Sequence, residues 1–231
     1  MKILPLKVNN LNYLINENFI LKNINLSIND ENITIILGNN GAGKSSLLNA
    51  LHDLIKVPKN TITWNNLPTS SIKIMQSMVF QTPILFNRSV YDNLDYIKNK
   101  KKVLSKYCVE KIIEKLNIKN IENINAKYLS GGEKQKVSIG MALIGEPKII
   151  FLDEPTSHLD PQYKHEIENI IKVISTNGIK VIMTSHDVSQ IKRIGEEIIF
   201  LNKGEIIYHN SIKKFINASH CDIIKNYIMY G

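Results

Sequence analysis

Cysteine is scarce in this 231-residue chain, and its two copies, Cys108 and Cys221, lie far apart. Without a Cys-x-x-Cys pair, neither a disulfide framework nor a cysteine-based zinc site is expected, and the composition fits a reducing compartment. Long apolar runs are missing too: stretches such as residues 149–152 are far too short to cross a bilayer. The N-terminus lacks the apolar segment of a signal peptide. We therefore expect a cytoplasmic protein that would need a separate partner for any work at a membrane.

The charge balance is basic, with a formal net charge of +8. Such a balance is compatible with nucleic acid, anionic lipid or a phosphate ligand. The densest cluster, residues 98–102, contains no aromatic side chain on which a base could stack. Blocks of like charge are usually solvated surface, so nucleic acid is a disfavoured partner. Hydrophobic residues make up 43% of the chain, which is ordinary for a globular domain that needs no covalent staples.

Short β-branched runs alternate with helical patterns, which indicates a mostly parallel sheet with helices packed on it. Buried strands are predicted at residues 33–37, 148–152 and 179–184, and a helix is predicted at residues 44–55. The first thirty residues alternate apolar and polar positions, as antiparallel strands do. The tripeptide Asn202-Lys203-Gly204 predicts a hairpin turn.

Residues 82–126 contain no convincing strand, and residues 103–116 are amphipathic at helical spacing. The predicted fold class is therefore α/β, with an N-terminal antiparallel β subdomain, a mostly parallel core sheet and a helical insertion at roughly residues 82–140. We expect residues 1–231 to form a single domain.

Residues 38–45 read Gly-Asn-Asn-Gly-Ala-Gly-Lys-Ser, the pattern of a phosphate-binding loop. Glycines let successive N–H groups point at phosphate oxygens, and the helix that follows presents its positive end to the same anion. Lys44 supplies a charge for the β- and γ-phosphates of ATP, and the Ser45 hydroxyl suits Mg²⁺. A chance Gly-rich turn is disfavoured because the loop lies between a predicted strand and a predicted helix. The predicted ATP-binding residues here are Gly38, Asn39, Asn40, Gly41, Ala42, Gly43, Lys44, Ser45 and Ser46.

A phosphate loop alone does not separate kinases, GTPases and transport ATPases. The run Leu129-Ser130-Gly131-Gly132-Glu133 resembles the signature of the ATP-binding cassette (ABC) ATPase family. A serine and two glycines at a helix start form a second anion-binding site, although alone they would be explained more simply by an N-cap. The resemblance implies P-loop NTPase architecture of the ABC type. It also implies a homodimer in the ATP-bound state, in which Ser130, Gly131, Gly132 and Glu133 contact the ATP of the partner subunit.

Residues 149–154, Ile-Ile-Phe-Leu-Asp-Glu, resemble the second nucleotide motif of that family. The strand delivers Asp153 to the carboxyl edge of the sheet, where it can hold the water shell of a metal ion. Glu154 follows, placed to polarise water as a general base. By resemblance, Gln81 is the Q-loop glutamine, His186 the γ-phosphate histidine, and Asp160 the D-loop aspartate at the dimer interface. Glu154, His186 and Gln81 are thus the predicted catalytic residues, and Mg²⁺ is expected at Ser45, Gln81 and, through water, Asp153.

Tyr13 is the candidate for the aromatic residue that, in the family, stacks on adenine upstream of the phosphate loop. A core tyrosine in an early strand is the alternative interpretation.

The resemblance implies an ATPase that uses ATP and Mg²⁺ and drives transmembrane permease subunits, on the inner face of the membrane. Residues 79–86 and 89–93 resemble ATPases of oxyanion importers of the tungstate, molybdate and phosphate types, which work with an extracytoplasmic solute-binding protein. One alternative is a soluble ABC ATPase acting on nucleic acid or ribosomes, but those proteins usually carry two cassettes, long coiled coils or zinc modules. Another is a regulatory module without turnover, which the intact Glu154 and His186 argue against.

Overall fold

The structure is a computed structural model, and it describes residues 3–30, 32–101, 109–217 and 222–230. The chain divides into two compact units, one made of Met1–Lys73 with Lys180–Gly231 and the other of Ile74–Ile179. The insertion predicted at residues 82–140 falls within the second unit. Of the helix predicted at residues 103–116, residues 103–108 lie outside the described residues. Residues 109–115 are helical.

The strands in chain order are β1 (Leu6–Ile15), β2 (Asn18–Ile28), β3 (Ile33–Leu37), β4 (Ile62–Trp64), β5 (Leu67–Pro68), β6 (Gln76–Val79), β7 (Ile149–Leu152), β8 (Lys180–Ser185), β9 (Glu197–Asn202) and β10 (Glu205–Ser211). The helices are α1 (Lys44–Leu51), α2 (Thr69–Ile72), α3 (Val90–Lys101), α4 (Val109–Lys115), α5 (Gly131–Leu143), α6 (Pro161–Thr176), α7 (Val188–Ile194), α8 (Ile212–Ile216) and α9 (Asp222–Tyr230). Among the described residues, no helix is both long enough and apolar enough to cross a membrane.

An antiparallel sheet in the order β2-β1-β4-β5 forms one part of the first unit. This confirms the antiparallel strands predicted for the first thirty residues. β1 and β2 are joined by a two-residue turn in which Asn16 and Glu17 have φ of 48° and 65°. Leu6, Val8 and Leu11 of β1 are buried, so one face of the hairpin is the core face.

Four asparagines explain two of the three register shifts in this hairpin. Asn10 and Asn23 have positive φ, and their backbone N–H groups donate to the side-chain oxygens of Asn25 and Asn12, each at 2.9 Å. Asparagine tolerates the left-handed conformation and can replace a missing ladder bond with its own amide. Both strands are therefore irregular in this region, and they remain paired on either side of it.

The core sheet of the first unit has the order β10-β9-β3-β8. β3 is parallel to both β8 and β9, whereas β10 returns antiparallel to β9 through Lys203 and Gly204, whose φ values are 48° and 83°. All five residues of β3 and all six of β8 are buried. Both faces of these strands are covered, which is why apolar residues predominate in them.

The second unit contains the parallel pair β6 and β7, in register from Gln76 with Ile149 to Val79 with Leu152. Helices α3, α4, α5 and α6 belong to the same unit. No strand was predicted at residues 76–79. The structure shows a strand there, and each of its four residues pairs with one residue of β7.

The helix after the phosphate-binding loop is shorter than predicted. It ends at Leu51 rather than at residue 55, because Asp53 adopts a left-handed conformation with φ of 68°. The backbone N–H groups of Leu54 and Ile55 then both turn back to the carbonyl oxygen of Asn49.

Candidate active site

The loop between β3 and α1 requires glycine at two positions. A Cβ on Gly38 would lie 2.2 Å from the carbonyl oxygen of Leu201, and one on Gly43 would lie 2.8 Å from that of Ile20. Gly43 also has a φ of 99°, which L-residues rarely adopt. The loop is therefore pressed against β2 and the end of β9, and its fold does not tolerate side chains at these positions.

Lys44 is the first residue of α1, and its side chain is buried. Its ammonium group donates to the carbonyl oxygens of Gly38 at 3.0 Å and Asn39 at 3.2 Å. The ammonium thus lies folded over the loop, where the anionic oxygens of a phosphate would be stronger acceptors than these carbonyls. Asn39, Asn40, Gly41 and Ser45 around it are exposed to solvent.

The position of His186 follows from strand register. Leu37, the last residue of β3, pairs with Ser185, the last residue of β8. Gly38 and His186 therefore leave adjacent parallel strands at the same edge of the sheet, so the predicted histidine lies beside the start of the phosphate loop. His186 is exposed, and its carbonyl oxygen accepts a hydrogen bond from Tyr227 of α9 at 3.0 Å.

β2 packs on this loop with its side chains as well, because the Leu21 side chain would be 3.0 Å from a Cβ on Gly43. Tyr13 is half-buried opposite Leu21. Phe19, two residues before Leu21, is 50% exposed and was not predicted as a site residue. No local sequence pattern singles out Phe19, because the packing of Leu21 on the loop is a contact between distant residues.

In the second unit, Gln81 and Glu154 are in contact. Each follows one strand of the parallel β6–β7 pair, and the N–H of Asp153 donates to the Val79 carbonyl at 2.9 Å. The Gln81 amide then donates to a Glu154 carboxylate oxygen at 3.3 Å. Glu154 has a φ of 42°, a backbone conformation that is unusual for glutamate and recurs at functional sites.

Ser130 caps α5 with a complete capping box. Its hydroxyl accepts from the N–H of Glu133 at 3.3 Å, and the Glu133 carboxylate accepts from the backbone N–H and the hydroxyl of Ser130, both at 2.8 Å. This reciprocal capping orders the turn at the helix N-terminus and leaves Ser130 and Gly131 exposed.

The residues after Glu154 lead to α6. His158 has a φ of 60°, in the left-handed region that histidine enters more readily than most residues. Asp160 is exposed and precedes α6 as its N-cap residue, with no side-chain capping bond. Tyr163, one turn into α6, reaches the hydroxyl of Ser130 at 3.3 Å. The structure thus brings the D-loop helix to the signature, a contact that sequence reasoning did not predict.

Comparison with known proteins decides the family. The profile of the family described as "ABC transporter" matches residues 21–157, which include the phosphate loop, Gln81, the signature and Glu154. The chain belongs to the ABC transporter ATPase family. It is an ATP-binding, ATP-hydrolysing subunit of an ABC transporter.

Curated relatives of this ABC ATPase act in transport. The phosphate import ATP-binding protein PstB of Campylobacter jejuni is 32% identical over 241 residues, covering 96% of this chain and 97% of the relative. The energy-coupling factor transporter ATP-binding protein EcfA2 of Caldanaerobacter subterraneus is 34% identical, covering 88% and 78%. A tyrosine transport ATP-binding protein of Clostridioides difficile is 32% identical, covering 91% of each chain.

Solved structures confirm the fold of the ABC ATPase. CbiO1 from Clostridium perfringens, part of the transporter complex cbiONQ, superposes with a TM-score of 0.81 at 27% identity and covers 99% of this chain and 96% of its own. A dimeric cassette in a post-hydrolysis state with ADP and Pi superposes with a TM-score of 0.78 at 26% identity, covering 90% and 98%. The predicted fold class is thereby confirmed.

Proposed function

We propose that this ABC ATPase energises the import of a solute through separate permease subunits, acting from the cytoplasmic face of the membrane as a homodimer that closes on ATP. The relatives support the direction of transport, since PstB is a phosphate import protein. The dimeric cassette with ADP and Pi supports the assembly. An extracytoplasmic solute-binding protein is part of the proposed system.

The proposed cargo is an oxyanion of the phosphate, molybdate or tungstate type. Support comes from the phosphate import relatives, of which one in Mycoplasmoides gallisepticum is 29% identical over 90% of this chain. Uptake of ³²P-phosphate, molybdate and tungstate by cells that express the whole transporter tests this directly. Uptake of tyrosine instead, with no oxyanion transported, would overturn the cargo and leave the ATPase proposal intact.

In the first unit, residues 38–46 are proposed to hold the phosphates. The Lys44 ammonium, which lies over the loop on the Gly38 and Asn39 carbonyls, donates to phosphate oxygens, and the N–H groups of the loop surround the anion. His186 meets the γ-phosphate from the adjacent strand end. Adenine is proposed to lie at the β1–β2 hairpin tip, with Tyr13 and Phe19 as the aromatic candidates.

In the second unit, the contact between Gln81 and Glu154 carries the proposal of turnover. Glu154 accepts a proton from the attacking water, and Gln81 orients the carboxylate through its amide N–H. In this unit the oxygen of Gln81 and, through water, that of Asp153 are proposed for Mg²⁺, and in the first unit the Ser45 hydroxyl is. Oxygen donors of this kind are the hard ligands that Mg²⁺ prefers, and the ion would neutralise charge on the β- and γ-phosphates.

The signature is proposed to complete the site of the partner subunit. Ser130, Gly131, Gly132 and Glu133 form an ordered helix N-terminus with an exposed serine, and Asp160 lies exposed at the start of the helix that supports it. None of these four residues is a lysine, which fits a ligand held mainly by another chain. Two copies related by a two-fold axis would use each surface twice.

The experiment is Glu154→Gln, with Glu114→Gln, an exposed carboxylate on α4, as the control. The amide cannot accept the proton, so steady-state ATPase activity of the assembled transporter should fall by about 100-fold or more while ATP binding persists. In size-exclusion chromatography with light scattering, ATP should convert Glu154→Gln protein from monomer to dimer. Near-normal turnover in this variant, or a dimer that forms equally without nucleotide, would contradict the proposal.

A further inference from the structure

The hydroxyl of the signature serine, Ser130, already has an acceptor within its own chain. It donates to a carboxylate oxygen of Glu133 at 2.8 Å, and the same oxygen accepts from the backbone N–H of Ser130, also at 2.8 Å. The hydroxyl of Tyr163 lies farther from it, at 3.3 Å. Because a hydroxyl has one proton and an ionised carboxylate is the stronger acceptor, the proton of Ser130 is directed at Glu133.

This contact puts a negative charge beside the position proposed for the γ-phosphate of the partner subunit's ATP. A hydroxyl donates to an anionic oxygen over about 2.7 Å, so a phosphate oxygen bound by Ser130 would lie within about 5.5 Å of the Glu133 carboxylate oxygen. Two anions at that distance repel each other, since it is shorter than the screening length of physiological salt. They also compete for the one proton of Ser130.

The charge of Glu133 is not neutralised by an ion pair. Lys119 and Lys136 line the same cleft as Glu133, but they pair with Glu122 and Glu166. In the part of the chain that the structure describes, no cationic group lies within ion-pair distance of Glu133. The positive end of α5 is what favours this carboxylate, and a phosphate at the signature would have to share it.

We propose that Glu133 is a positioning residue that opposes closure of the dimer, because it holds the Ser130 hydroxyl until the γ-phosphate of the partner subunit's ATP displaces it. The inference rests on the proposed function, in which Ser130 contacts that ATP. An ionised carboxylate only accepts hydrogen bonds, so Glu133 cannot itself donate to a phosphate. The bond from the Ser130 N–H to Glu133 does not involve the hydroxyl, so the start of α5 stays capped during the exchange. Glu133 thereby raises the ATP concentration at which the dimer closes.

Glu133→Gln tests this without removing the helix cap. Glutamine also completes a capping box, because its amide oxygen accepts from the Ser130 N–H. Its neutral oxygen holds the Ser130 proton less strongly, so adding Glu133→Gln to Glu154→Gln protein should tighten ATP-dependent dimerisation about tenfold. Glu114→Gln removes the same charge from an exposed position on α4 and is the matched control, expected to change dimerisation by less than about twofold because distant exposed charges are screened. ATP affinity of the single chain should stay unchanged in both variants.

Sedimentation equilibrium with ATP measures these dimers, and a mutant cycle shows whether the Ser130 hydroxyl is involved. Ser130→Ala should weaken the dimer, and Glu133→Gln should then recover less than it does when Ser130 is present, since no hydroxyl is left to hold. Ser130→Thr keeps a hydroxyl and should retain the full effect of Glu133→Gln. An equal gain with and without the hydroxyl would mean that Glu133 acts through its charge alone, which would overturn the positioning role.

The assembled transporter with Glu154 intact gives a second readout. There Glu133→Gln should lower the ATP concentration at half-maximal turnover, whereas Glu114→Gln should leave it unchanged. If Ser130→Ala dimerised on ATP as well as the parent Glu154→Gln protein, the proposed role of the signature would be wrong. If Ser130→Ala weakened the dimer but Glu133→Gln matched Glu114→Gln, or weakened the dimer too, the inference about Glu133 alone would be overturned.

Discussion

The ring of Tyr163 lies directly against Gly132, so that a Cβ built on Gly132 would fall 2.2 Å from two of its ring carbons. The same tyrosine contacts the hydroxyl of Ser130, and the Lys136 ammonium lies 5.6 Å from its ring centroid. Lys136 also forms a hydrogen-bonded ion pair with Glu166. The hydrogen bond from Lys136 lowers the pKa of the Glu166 carboxyl. Helix α5, which begins at the signature, is therefore held against α6 by the Tyr163 ring and by the Lys136–Glu166 ion pair.

The first prediction concerns Gly132→Ala. The added methyl must displace the Tyr163 ring, at a cost of about 1–3 kcal/mol, and Ser130 moves with it. ATP-dependent dimerisation of Glu154→Gln protein should weaken about tenfold, while ATP affinity of the single chain stays unchanged. Ser138→Ala on the same helix is the control, and Tyr163→Ala combined with Gly132→Ala should restore part of the loss. Equal dimerisation with and without the methyl would show that the ring does not position the signature.

Local patterns explain why much of the site could be predicted from the sequence. The phosphate loop, the acidic end of β7 and the Lys203-Gly204 turn each depend on a few consecutive residues whose backbone requirements are visible in their types. Even their environment was predictable, since an apolar strand precedes Gly38 and another precedes Asp153. The roles of Gln81, His186 and Asp160 came from resemblance and remain predictions.

Contacts between distant residues were not predictable in this way. Tyr227 is 189 residues from Gly38 and 41 from His186 in sequence, and no period links an aromatic on the last helix to a carbonyl oxygen. In the sequence, nothing distinguishes Tyr163 from any other half-buried helical tyrosine. Its close contact with Gly132 is visible only in the structure. The end of α1 was misjudged because helical spacing continued to Ile55, whereas the left-handed Asp53 stops the backbone earlier.

The second prediction separates Tyr13 from Phe19 as the residue that stacks on adenine. Phe19→Ala should lower ATP affinity by about 1–1.5 kcal/mol, the lower part of the range for base–aromatic stacking, and leave binding of tripolyphosphate unchanged. Tyr13→Ala should mainly lower the melting temperature, because Tyr13 is half-buried opposite Leu21. Calorimetric titration with both ligands distinguishes the two, and the opposite pattern would return the role to Tyr13.

A charged network at the edge of the core sheet underlies the third prediction. Lys180, 1% exposed, donates to the Asn32 carbonyl and the Thr34 hydroxyl, each at 2.6 Å. Thr34 donates to the Glu197 carboxylate, whose other oxygen lies 2.8 Å from the His209 ring nitrogen. Burial pushes the pKa of Glu197 upward, but the hydrogen bonds from His209 and Thr34 and the charge of Lys180 outweigh it, so the pKa is lower than the ordinary 4.5.

A carboxyl group whose pKa is lowered by folding stabilises the fold at pH values above its ordinary, unfolded-state pKa. That contribution is lost as the pH falls through the lower, folded-state pKa. Wild-type protein should therefore lose stability below about pH 4.5, and Glu197→Gln should lose less over the same interval while being about 1–3 kcal/mol less stable at pH 7. Urea unfolding at several pH values measures both. Glu205→Gln, at an exposed position on β10, should follow the wild-type pH profile. Parallel profiles for wild type and Glu197→Gln would show that Glu197 does not carry this pH dependence.

The loop after Gln81 is held by a polar anchor rather than by its own apolar side chains. Asn93, fully buried on α3, accepts from the N–H of Phe86 at 2.8 Å and donates to the carbonyl oxygens of Phe86 and Ser89 at 3.1 and 2.9 Å. Ile84 is 72% exposed, and Phe86, 43% exposed, packs edge-on against Tyr96. The apolar side chains are thus displayed on a backbone whose shape does not depend on burying them.

The last prediction is that this display is the docking surface for a permease subunit. Ile84→Glu should abolish co-purification with the permease and transport, while melting temperature and ATP binding of the isolated chain stay unchanged, because the side chain already lies in water. Ile74→Glu is the control that should still form the complex. Ile74 is 84% exposed and lies just before the N-terminal end of β6. Phe86→Glu is a harsher test, since it also removes the Tyr96 contact, and Asn93→Ala should lose the complex by releasing the loop. An intact transporter with Ile84→Glu, at normal ATPase activity, would mean that the permease binds elsewhere and that the exposed loop serves another purpose.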